Sequence, residues 1–178
     1  MLRKPFLPLA LTLAVLARAQ IAPAQAPCGD LDAVQQAEQR AWQKSAAKSL
    51  VSGRGGEPLP LIVAGNKARV RFHAGHDVLF AFQRRPKLDQ MSLYAGRLAL
   101  EPPRDGEYRI MVGQRVWVDI VDPATGTALT PTTSERQLRC AGVAKNIGFV
   151  LAANKRYWLQ ISDGDEAETD VLVVLQPK

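Results

Sequence analysis

Apolar and polar residues alternate with period two through much of the chain beyond residue 60, most regularly between Gly106 and Asp122. Tyr108, Ile110 and Val112 fall on one face of an extended segment, and Val116, Val118 and Ile120 do so again after Gly113-Gln114. Successive strand side chains point to opposite sides, so the pattern predicts a β-hairpin with one buried face. Trp117 and Asp119 then lie on the face opposite Val116, Val118 and Ile120.

The same grammar predicts strands at Leu61–Val63, Lys67–Phe72, Val78–Phe82, Ser92–Leu100, Asn146–Leu151, Arg156–Ser162 and Thr169–Leu175. VLFAF at 78–82 is nearly continuous and reads as buried on both faces. Asp122-Pro-Ala-Thr-Gly126, Asn154-Lys155 and Asp163-Gly164-Asp165 carry the residues that turns favour. A polar arm from Thr127 to Arg139 leads to Cys140. Ahead of the strands, Leu31, Val34, Glu38, Ala41 and Trp42 recur at helical spacing. They predict one helix from Asp30, as N-cap, to about Lys48, with Trp42 as its anchor. The Gly- and Pro-rich stretch SGRGGEPLP, 52–60, ends that region. Eight or nine short strands behind one N-terminal helix predict an all-β, antiparallel, jelly-roll-like β-sandwich.

The first residues follow a different logic. Arg3 and Lys4 precede a short apolar run, Leu7–Leu16, and small residues follow at Ala22, Ala24 and Ala26. This is the layout of a secretory signal peptide, cut after Ala24. The run is too short to remain as a membrane anchor. Pro27, before Cys28, stands where a lipoprotein signal has a small Gly or Ala. The expected organisation is a leader over 1–24, a helical segment and linker over 25–56, and a sandwich over 57–178, in the periplasm or secreted. Removing Arg3, Lys4 and Arg18 lowers the formal charge from +6 to +3. No basic run is interleaved with aromatics, and Arg84, Arg85 and Lys87 read as a solvated loop. Nucleic acid is therefore not an expected partner.

Two cysteines remain, Cys28 and Cys140, and in an oxidising compartment an even count reads first as one disulfide. A nucleophilic or metal-binding pair of thiols is the rival reading. His73, His76 and Asp77 form the most suggestive polar cluster, because imidazoles and a carboxylate are ligands for zinc, copper or iron. They sit on an expected turn rather than on a helix face that would aim both rings together. The acidic run Asp163, Asp165, Glu166, Glu168, Asp170 lacks the ligand spacing of a calcium loop and reads as a solvated hairpin turn. Asp119 lies in a strand otherwise made of Val, Ile and Trp, and must either face solvent or be paired. Beside an exposed Trp117 it would form a carbohydrate- or peptide-binding surface; buried, it is a structural acceptor. Placement on the most regular strands predicts that Trp117 and Tyr157 pack in or near the core. No nucleophile elbow, P-loop or dinucleotide fingerprint occurs, so no cofactor is expected.

Three motifs carry a resemblance. They are Trp117-x-Asp119-Ile120-Val121; Cys140, Val143, Lys145, Ile147, Phe149 and Leu151; and Tyr157, Leu159, Gln160, Ile161 and Ser162. In this order, behind a cysteine and a helix with Trp42, they resemble a family of small exported bacterial β-sandwich proteins of unknown function. Its members often carry the name homogentisate 1,2-dioxygenase, an activity that needs a His/His/Glu iron site in a much longer chain. GEYRIMV, VDIVDPATGTAL and KRYWLQIS also resemble strands of pre-peptidase C-terminal domains. Both resemblances imply a sandwich, and neither implies a reaction. The expectation is a non-enzymatic envelope module that binds a glycan, a peptide or a protein. The alternative is a small metal-dependent enzyme, dioxygenase-like by name, using His73 and His76.

Overall fold

A computed structural model describes residues 28–83, 92–132 and 138–177. The expected leader, the Arg84–Lys87 patch and part of the polar arm lie outside these residues. Two sheets face each other across an apolar core, with one helix, α1, against the outside of the first.

Eleven strands occur among the described residues: β1 (Lys48–Val51), β2 (Leu61–Ile62), β3 (Ala68–Arg71), β4 (His73–Ala74), β5 (Tyr94–Leu100), β6 (Gly106–Val112), β7 (Trp117–Asp122), β8 (Thr127–Ala128), β9 (Lys145–Leu151), β10 (Tyr157–Gly164) and β11 (Glu168–Leu175). Sheet one runs β1-β3-β11-β6-β9; sheet two runs β2-β5-β10-β7-β8, with β4 also on β5. The sandwich is as expected, with more strands than the eight or nine predicted.

Its connectivity is not as expected. The chain passes from sheet to sheet at nearly every turn, so β6 and β7 do not form a hairpin. β6 pairs with β11 and β9, whereas β7 pairs with β10 and β8. Tyr108, Ile110 and Val112 enter the core from one sheet, and Val116, Val118 and Ile120 meet them from the other. Alternation demands only that one face be buried, and a corner between two sheets satisfies it as well as a hairpin does. The acidic turn after β10 is likewise a crossing, to β11 in the opposite sheet. β7–β8 is a true hairpin, with Gly126 at φ +68 in its turn. Crossing also explains two departures from an antiparallel design. β1 and β3 flank a passage through the other sheet, run in the same direction and pair in parallel; β2 and β5 are also parallel.

The helix α1 spans Ala33–Gln43, shorter than Asp30–Lys48, with Asp32 rather than Asp30 as N-cap. Asp32 wins because Gln35 lies three residues on. The Gln35 amide donates to Asp32 Oδ1 at 2.8 Å, and Gln35 Oε1 accepts from the Asp32 amide at 3.0 Å. At the other end Lys48 is taken into β1, opposite Ala68. The inner face of α1 brings Trp42 onto Met111, Leu172, Leu138 and Val143. Glu38 accepts from Asn146 Nδ2 at 2.8 Å and lies 3.6 Å from Arg109, all three being buried. Cys28 and Cys140 are bonded, with Cα atoms 5.1 Å apart, and tie the approach to α1 to the turn before β9. No helix among the described residues is long and apolar enough to cross a membrane.

The VLFAF segment is not a strand. Residues 78–82 lie over the outward face of sheet two, where loop carbonyls and side chains rather than a neighbouring strand satisfy their backbone, the Leu79 amide donating to the Arg54 carbonyl at 2.7 Å. Gln160 Oε1 accepts from the Ala81 amide at 2.9 Å, its Nε2 donates to the Phe82 carbonyl at 2.7 Å, and Arg97 Nη1 donates to the Leu79 carbonyl at 3.0 Å.

Candidate binding surface

The residues singled out in the sequence separate in space. His73 is in β4, opposite Ala95, with both ring nitrogens occupied. Nε2 lies 2.7 Å from the Ser52 carbonyl, and Nδ1 accepts from Arg54 Nε at 3.3 Å. His76 lies 3.4 Å from Asp77, its immediate neighbour, and both are exposed. Among the described residues no three His, Cys, Asp or Glu side chains come together as a metal site. The sulfurs of Cys28 and Cys140 are committed to their bond, which removes the thiol reading.

Trp117 and Asp119 share the outward face of β7, as alternation requires, but not one environment. Trp117, at the strand's start, is 38% exposed, with Lys145 Nζ 5.4 Å from its ring centre, so it is not the core residue expected. Asp119 is 4% exposed, opposite Gln160 in the middle of the sheet. Tyr157 is buried as expected, and its hydroxyl accepts from the Ala152 amide at 3.1 Å. The acids after β10 are partly structural: Asp170 pairs with Arg69 at 2.9 Å and Lys67 at 3.5 Å.

A site that the sequence did not single out lies on the same outward face of sheet two, along β5 and β10. A cleft of about 410 Å³ opens between residues 55–59, Arg97 and Ala99 of β5, Trp158 of β10, and Arg156 just before it. Arg97 and Trp158 point outward because Leu98, Leu100, Tyr157 and Leu159 point into the core. The Arg97 guanidinium lies over the Trp158 ring, 4.3 Å from its centre. Its backbone exchanges hydrogen bonds with Gly53 at 2.8 and 2.9 Å, which brings the start of the glycine loop to the strand edge. Gly55 adopts φ +93, and a Cβ there would come within 2.3 Å of Arg97 Nη1. Only glycine lets the loop close over the guanidinium.

The other charges at the cleft are committed. Arg156 is held by Glu101 at 2.5 Å. The Glu57 carboxylate accepts from the Arg54 amide, and that bond, with others from the loop backbone, holds its pKa below the usual carboxylate value. Burial pushes the Arg97 pKa down, with the charge of Glu57 opposing. The arrangement is a recess with an aromatic wall, aliphatic sides at Pro58, Leu59 and Ala99, and a buried cation. The sequence signal for it was faint: a charge at Arg97 inside an apolar strand, and a glycine pair in a loop.

No protein-family model matches the chain, and no curated protein matches it either.

Proposed function

We propose that this chain is an exported, non-enzymatic binding module of the cell envelope. The observation that carries the reading is the cleft itself, a concave recess with an indole and a guanidinium on a rigid sheet. The Cys28–Cys140 bridge supports an oxidising compartment, periplasmic or extracellular, in agreement with the leader-like first residues. The resemblance to small exported sandwich proteins points the same way. Glycans, peptides and proteins of the envelope are the candidate ligand classes.

The test is co-sedimentation of the disulfide-intact protein with isolated envelope material, alongside metal analysis of protein purified without a histidine tag. Wild type should sediment saturably, and Trp158→Ala should lose that property while Trp117→Ala keeps it. Equal sedimentation of wild type and Trp158→Ala would remove the cleft from the binding surface. Stoichiometric iron, copper or zinc that disappears when His73 and His76 are both replaced by Ala would overturn the reading in favour of a metal-dependent enzyme.

A further inference from the structure

Arg97 is a cation, 6% exposed, with no direct ion pair among the described residues. The Glu57 carboxylate acts on it only through its charge, without a hydrogen bond. Nη1 donates to the Leu79 carbonyl, whereas Nε is buried with no hydrogen-bond partner. Taking a guanidinium out of water is costly, and an indole face with one carbonyl recovers only part of that cost. This charge, only partly offset by Glu57, lines an open cleft, while its neighbour Arg156 is already engaged by Glu101. With Nη1 taken and Nε closed off from the cleft, what the guanidinium offers a carboxylate is its charge and one terminal N–H group, a charge-assisted contact rather than a bidentate fork.

The walls restrict what the carboxylate can belong to. Pro58, Leu59, Ala99 and Trp158 present aliphatic and aromatic surface to a space the size of a small ring compound. Of the loop amides at the cleft, those of Gly55 and Glu57 turn, with that of Arg54 beside them, to the Glu57 carboxylate, which leaves few to pair with a peptide backbone. A sugar ring needs no backbone pairing; its C–H face packs on apolar walls. We propose that this cleft binds the carboxylate of an acidic sugar, with Arg97 as the partner of the anion and Trp158 as a wall for the ring. The inference rests on the binding-module reading and names its ligand class.

The experiment is calorimetric titration of the disulfide-intact protein with D-glucuronate, D-glucose and N-acetylalanine as probes. Glucuronate should bind one site and exceed both other probes by at least about tenfold, weakening as salt is raised. Arg97→Met should abolish the preference. Because a buried arginine can be needed for folding, Pro58→Glu provides a second variant. It places a negative charge on the exposed rim and should weaken glucuronate at least about fivefold with the fold intact. Equal binding of glucose and glucuronate, unchanged in Pro58→Glu, would refute the carboxylate assignment and leave the binding module standing. Preference for N-acetylalanine would assign the site to a peptide terminus instead. Envelope sedimentation without glucuronate binding would sink this inference alone; failure of both would sink the module with it.

Discussion

Reducing the Cys28–Cys140 bond should loosen α1 before it melts the sandwich. The bridge spans a sequence separation of 112, for which cross-linking entropy gives at most about 4–5 kcal/mol, with about 2–4 typical of real proteins. At about 2–4 °C per kcal/mol for a domain of this size, reduction should lower the thermal midpoint by about 5–15 °C. The loss should not be uniform. The 11 residues of α1 make a helix that is marginal alone, and ordering each residue costs about 1–2 kcal/mol. Against that stand the burial of Trp42, about 3–5 kcal/mol by truncation, and the charge-assisted bond from Asn146 to Glu38, about 1.5–3 kcal/mol. The sandwich keeps its own core between the sheets without α1. Hydrogen exchange read by mass spectrometry, with and without reductant, separates the two effects. Amides of 33–43 should lose most of their protection while those of β6, β10 and β11 keep theirs. Reduction that moves the midpoint by less than about 2 °C would refute the loop-entropy argument. Protection of α1 that survives to the global transition would refute its independence.

Two further outcomes follow from burial and charge. Tyr157→Ala should cost about 3–5 kcal/mol in a denaturant melt and the more exposed Trp117→Ala about 1 kcal/mol or less; equal costs would contradict the burial described for Trp117. Lys155, 2.7 Å from Asp122, donates a hydrogen bond that holds the Asp122 carboxyl below its usual pKa, while the same bond raises that of Lys155. A lowered carboxyl pKa stabilises the fold above its unfolded value, about 3.9, and the benefit disappears as pH falls through the lower folded value. The Lys155 contribution is full below its unfolded value and fades as pH rises through the raised one. Wild type should therefore exceed Asp122→Asn in thermal midpoint at neutral pH and converge with it in acid; a gap that persists at low pH would disprove the linkage.

The sequence announced the sandwich, the position of the helix and the bridge, because each depends on local pattern or on a count. It could not announce which strands pair. Val116, Val118 and Ile120 read alike whether β7 folds back on β6 or crosses to the other sheet, because both arrangements bury the same face. Nor could it show what covers an outward face. Three charged residues interrupt apolar strands, Arg97, Arg109 and Asp119, and alternation turns all three away from the core. A two-layer rule would leave them in water, yet they are 6%, 1% and 4% exposed. α1 covers Arg109, and the 78–82 segment, which resembled a strand, reaches Arg97 through the Leu79 carbonyl. Covering an outward face turns a polar position into a buried one, and a buried polar group must be matched or must serve something else. Arg109 is met by Glu38 from the helix that covers it. Arg97 has no direct ion pair among the described residues: it is met by an indole, a carbonyl, the charge of Glu57 without a hydrogen bond, and an open cleft. That difference in matching, visible only after the layers are assembled, separates the structural charge from the one assigned to ligand binding.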